Sequence, residues 1–175
     1  MDGRKCLALA VSLAVALSAA PAVFAADPEP GPVAGGARLL GGHEVPVVLS
    51  SGQGRFFFRL QRGKISWELS YSGMQGTVTQ AHIHVGQPGV NGGIAVFLCS
   101  NLGNGPAGTQ ACPASPATIS GIADADDVVA IAAQGLGAGE FAKVAAALRA
   151  GNTYANVHST SFPGGEVRGQ VPHDH

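Results

Sequence analysis

The chain has 175 residues, a formal net charge of −1 at pH 7, only 12% charged residues and 26 glycines. That balance, with no obvious basic patch interleaved with aromatics, argues against a nucleic-acid partner. A hydrophobic share of 46% is too high for a disordered chain and, with so much glycine, fits a compact, loop-rich β protein.

The chain opens like an export signal. Arg4 and Lys5 form a short positive start, residues 6–20 are almost wholly apolar, and Val23-Phe24-Ala25 supplies a small-residue cleavage site, so residues 1–25 are predicted to be removed. The apolar run is too short and too rich in Ala to cross a membrane convincingly, and Cys6 has no lipobox before it. The remainder is enough for one domain with one core. Residues 26–36, rich in Pro and Gly, are predicted to be a flexible linker. The domain then spans 37–172, and 173–175 is a frayed tail whose two histidines would hold metal only weakly.

After a first short strand from Ala37, residues 54–60 and 64–71 alternate as a hairpin. Phe56, Phe58 and Leu60, then Ile65, Trp67, Leu69 and Tyr71, face the core, with Phe57 out of pattern. Residues 81–85 alternate again. Ala81, Ile83 and Val85 share one face, and His82 and His84 share the other, about 6.5–7 Å apart by strand rise. The continuous apolar run Ile94-Ala95-Val96-Phe97-Leu98 predicts a central strand covered on both faces.

Once Cys6 is removed, Cys99 and Cys112 are the only cysteines left, and they bracket a Gly/Asn/Pro loop. A disulfide between them is expected, worth about 3 kcal/mol by loop-closure entropy. Asp124, Asp126 and Asp127 lack the ligand order of a calcium loop and are expected to cap a helical turn. Residues 140–150 form the one clear helix, with Phe141, Val144, Ala145 and Leu148 on its apolar stripe and Gly151 closing it.

Two further strands follow. Along 153–159, Ala155 and Val157 face one way, and Tyr154, Asn156 and His158 the other. Along 166–171, Val167, Gly169 and Val171 alternate with Glu166, Arg168 and Gln170. If these strands neighbour the first histidine pair, their polar faces form one cluster. His82, His84 and His158 would then hold copper or zinc, both suited to imidazole. Glu166 would stand behind them as an orienting acceptor, Arg168 would pair with Glu166 or hold an anion, and Asn156 would join a hydrogen-bond network.

Five ordered motifs, Gly42-His43-Glu44-Val45-Pro46, Ala81-His82-Ile83-His84-Val85-Gly86, Asn91-Gly92-Gly93, the stretch 151–158 and the stretch 163–170, resemble the CHRD domain, named from chordin. The family more often has another polar residue where His43 stands, so His43 is left out of any shared site. The seven or eight short alternating segments separated by Gly/Pro turns predict an antiparallel β-sandwich or Greek-key barrel-like fold. The resemblance implies an exported all-β domain with no established enzyme activity for single-domain bacterial members. Chordin's growth-factor binding belongs to cysteine-rich modules that this chain lacks. The His-x-His strand with a Gly-rich loop is also similar to the copper strand of Cu,Zn superoxide dismutases, although the rest of that ligand pattern is not recognisable.

No GxSxG elbow, HExxH helix, phosphate loop or GxGxxG unit occurs, and nothing fixes the separation of Glu44 and Glu166 as a glycosidase pair. Two classes of function therefore stand: a non-enzymatic binding or structural module of the envelope or extracellular space, with an unidentified partner, and a metal-handling protein with redox capacity at the histidines.

Overall fold

The computed structural model describes residues 31–172. The export signal, its cleavage after Ala25, the first part of the linker and the histidine tail lie outside the described residues. The fold is a single eight-stranded antiparallel sheet, curled nearly into a barrel, with one helix. Its strands are β1 (Val33–Leu40), β2 (Gln53–Gln61), β3 (Lys64–Ser72), β4 (Val78–Val85), β5 (Gly93–Ser100), β6 (Ala117–Ala123), β7 (Thr153–Ser159) and β8 (Val167–Val171). They follow the order β5-β4-β7-β8-β1-β2-β3-β6. Only Leu40↔Arg168 pairs β1 with β8, so the sheet reads as two four-stranded halves folded over a shared core, with β5 and β6 closing towards each other.

The β2–β3 hairpin follows the predicted alternation. Gly54, Phe56, Phe58 and Leu60 of β2 are buried and the intervening residues, Phe57 among them, are exposed. Ile65, Trp67, Leu69 and Tyr71 of β3 complete this half of the core. The helix α1 (Phe141–Arg149) buries Phe141, Val144, Ala145 and Leu148, the stripe read from its 3.6-residue period. The cysteines are bridged, with Cys99 and Cys112 at an S–S distance of 2.03 Å. Asp124 caps the turn Ala125–Asp127 by a reciprocal capping box and pairs with Lys64 at 2.9 Å, so this acidic cluster is occupied structurally.

Two expectations change. The linker expected over 26–36 gives its last residues to the sheet, because β1 begins at Val33 and pairs with β2 along its whole length. The apolar run of β5 is not central: β5 ends the strand order. Its register against β4 shifts between Ala81 and His82 and again between Ile83 and His84, which leaves Leu98 and Ala95 without partners and breaks alternation twice. The Val96↔Val128 bridge and the bond from Val129 N–H to the Ala95 carbonyl cover its outer edge. An apolar run thus arises from bulges and a covered edge rather than from a central position. Finally, the exposed face of β2 carries Arg55, Phe57 and Arg59, as its alternation indicates, and the β1–β2 register adds Arg38 opposite Arg55, with Glu68 opposite Phe57, an arrangement whose Arg38 contribution no local window of the sequence displays.

Candidate metal centre

β4 and β7 are antiparallel neighbours, with His82 opposite Asn156, His84 opposite Tyr154 and Gln80 opposite His158. Strand parity therefore projects His82, His84, Tyr154, Asn156 and His158 from one face. That face is not solvated. Every residue of β7 is buried, and His82, His84 and His158 are 0%, 7% and 7% exposed.

One nitrogen from each of the three rings lies within 4.8 Å of the other two. His82 Nδ1 and His158 Nε2 are 3.3 Å apart. Two nitrogens bound at about 2.0 Å to one tetrahedral ion stand about 3.3 Å apart, so this pair already has the spacing of two ligands. The remaining separations, at most 4.8 Å, need a contraction of up to about 1.5 Å to reach the same value.

Backbone carbonyls orient two of the rings. His84 Nδ1 lies 2.9 Å from the Gly92 carbonyl and His158 Nδ1 lies 2.9 Å from the Pro163 carbonyl. A carbonyl only accepts, so in both rings Nδ1 carries the proton and donates, and Nε2 presents a lone pair. His84 Nε2 is buried and has no partner among the described residues, and neither has His82 Nε2. His158 Nε2 also faces Asn156 Oδ1 at 3.1 Å. A lone pair against an amide oxygen is a mismatch, resolved either by presenting the Asn156 NH2 or by a cation.

Burial sets the charge state. Desolvation pushes His82 down to about 2, helped by repulsion from His158 and His84, and pushes His84 down to about 4 against the opposing Gly92 bond. His158 is lowered by the same cause, against its bond to Pro163. All three are neutral at pH 7, the form that binds metal.

The wall of the centre is aromatic and cationic. Phe97 packs edge-on to His82 with centroids 4.6 Å apart, and Tyr154 stacks on His84 at 4.6 Å and 5°. The Arg168 guanidinium lies 3.4 Å from the Tyr154 ring centroid, a cation–π contact, and donates to Asn91 Oδ1 at 2.9 Å and the Val90 carbonyl at 2.7 Å. Those bonds hold the 87–93 loop that carries the Gly92 carbonyl. A Cβ on Gly92 would fall 1.7 Å from the Val85 carbonyl oxygen, so only glycine permits this close approach.

Sequence-predicted residues divide accordingly. His82, His84, His158 and Asn156 come together. Glu166 does not stand behind the histidines. Its Oε1 accepts from Ser50 Oγ at 2.6 Å and from Gln75 N–H at 2.8 Å. Alternation fails there because β8 starts only at Val167, after Gly165 at φ 126°. Arg168 does not pair with Glu166 either, since its guanidinium is committed to the 87–93 loop. Three contributors were missed, the Gly92 and Pro163 carbonyls and Tyr154 as a stacking partner, and a buried acid, Glu44, lies near Arg168. Glu44 is 6% exposed, its Oε1 has no partner, and desolvation raises it to about 7 despite the nearby Arg168. The one signal for Glu44 lay in its place within the Gly42–Pro46 motif.

The family comparison agrees with the motifs. The CHRD domain family matches residues 36–171, most of the chain and nearly all of the described fold. No curated protein and no solved structure matches. With a match of that extent over an all-β sheet carrying every quoted motif, the chain belongs to the CHRD domain family.

Proposed function

We propose that this CHRD domain is an exported module that binds one divalent transition ion at His82, His84 and His158, copper in preference to zinc. The observation that carries the proposal is the convergence of three neutral, buried imidazoles, with the His84 Nε2 lone pair left unpartnered among the described residues. Leaving such an atom dry and unbonded costs about 1–3 kcal/mol, a cost an ion removes when it takes up the lone pair. The donor set is all nitrogen, with no thiolate because both described cysteines are bridged, and it favours copper by the Irving–Williams order. Export rests on the charged, apolar N-terminal stretch and on a disulfide that persists in an oxidising compartment.

The test is metal content and titration of untagged protein lacking residues 173–175, after recovery from outside the cytoplasm. One equivalent of copper should bind, and His82→Ala or His158→Ala should abolish it. Stoichiometric binding that survives both substitutions sinks the reading. Intact mass of the same sample tests export: Ala26 is the expected first residue.

A second reading is a non-enzymatic structural or binding module in which the polar cluster only locks strands together. The His82–His158 contact and the two carbonyl-bound rings favour it, since they would serve architecture without an ion. Failure of wild-type protein to bind copper or zinc would select it.

A further inference from the structure

On the opposite half of the sheet, Arg38 of β1 lies directly across from Arg55 of β2, Arg55 across from Ser70 of β3, and Ser70 across from Thr118 of β6. One row across four strands thus reads Arg, Arg, Ser, Thr. These side chains, with Gln53 and Ser72, line a groove of about 550 Å³. Like charges directly opposite on neighbouring strands destabilise a sheet unless something neutralises them. Among the described residues no carboxylate does so: the ion pairs are Lys64–Asp124 and Lys143–Glu140. Glu68, the nearest acid by register, stands opposite Phe57 in the next row and does not line this groove.

We propose that this groove binds an acidic polysaccharide, with the two guanidinium groups gripping a carboxylate or sulfate and the hydroxyls and Gln53 amide meeting sugar hydroxyls. Guanidinium forks match planar and tetrahedral oxyanions with paired hydrogen bonds. The groove has three hydroxyls and an amide beside the arginines, and their short donors and acceptors suit a hydroxylated ligand. It is poorly built for bases. Its one lining aromatic, Tyr71, is 2% exposed and donates its hydroxyl to the Pro113 carbonyl, and the half-exposed Phe57 stands outside the groove in the next row, opposite Glu68, so no ring within the groove is free for stacking. The chain as a whole is nearly neutral, so attraction would come from this face and not from net charge. The groove and the histidine centre share no residue, and each stands or falls without the other.

The test uses metal-free full domain in low salt, with polygalacturonate, heparin, neutral dextran and single-stranded DNA as probes in affinity electrophoresis. Wild-type protein should bind polygalacturonate or heparin and ignore dextran. The Arg38→Gln/Arg55→Gln double variant should weaken that binding by about tenfold or more, as expected for lost charge-assisted bonds. Lys143→Gln, on the helix, should change it less than about twofold, as a surface charge outside the groove. Both arginines are exposed and opposed to each other, so the double variant should melt at the wild-type temperature or slightly above. No binding to either acidic polysaccharide, or binding unchanged in the double variant, overturns the proposal. So does tighter retention by DNA than by both polysaccharides.

Discussion

Lowering the pH should destabilise the metal-free domain through its histidines, and the size of the effect follows from three buried groups. His82 and His84 have folded pKa values near 2 and 4, below the unfolded value near 6.5. Between those limits the unfolded chain binds more protons than the folded one. Their contribution is therefore whole above pH 6.5 and is lost as pH falls below it. From pH 7.5 to pH 5 each costs about 2 kcal/mol, about 4 kcal/mol together. Glu44 acts oppositely. Its folded pKa near 7 lies above the unfolded value, so acidification favours the fold by about 2 kcal/mol over the same interval. The net loss for wild-type protein is about 2 kcal/mol, with His158 adding in the same direction. Urea unfolding followed by Trp67 fluorescence, in chelator, measures this at both pH values. Glu44→Gln should roughly double the loss. His82→Gln/His84→Gln should reduce it to near zero or reverse its sign. A wild-type stability flat from pH 7.5 to 5, matched by the double histidine variant, would refute the neutral-cluster argument.

Three other outcomes follow from the packing. Denatured, unreduced protein should show no free thiol from Cys99 or Cys112, and reduction should lower stability by about 3 kcal/mol; a titratable pair of thiols in exported protein contradicts the bridge. Gly92→Ala should weaken copper binding and lower the melting temperature sharply, because the added methyl meets the Val85 carbonyl and displaces the acceptor that orients His84; wild-type copper affinity in this variant would show that the 87–93 loop does not organise the site. Arg168→Met should destabilise by about 1–2 kcal/mol, since it removes two charge-assisted hydrogen bonds to the exposed 90–91 segment and the contact with Tyr154, and a change under about 0.5 kcal/mol by urea unfolding would contradict that role.

Periodicity made much of this structure legible. Alternation alone placed His82 and His84 on one face and His158 with Asn156 on another, and the 3.6-residue stripe marked the helix. Strand pairing was not legible, because nothing local to 81–85 says that β7, some seventy residues later, lies beside it. One error in the site, Glu166, and one in the fold, β5, arose where alternation stops. Glu166 sits one residue outside β8 and turns to Ser50 and Gln75, and two bulges give β5 an apolar run that mimics a buried central strand. The orienting groups at Gly92 and Pro163 are backbone carbonyls, which carry no residue-type signal. The Arg38–Arg55 juxtaposition depends on the β1–β2 register and is likewise invisible in any local window.

Electron paramagnetic resonance of the copper(II)-loaded domain without residues 173–175 tests the central claim most directly. A single species at one copper per chain, with hyperfine coupling to three imidazole nitrogens that falls to two in His84→Ala, is the predicted result. Substoichiometric, heterogeneous signals that persist in His82→Ala/His158→Ala and vanish in His43→Ala would place copper at the surface and contradict the three-histidine centre.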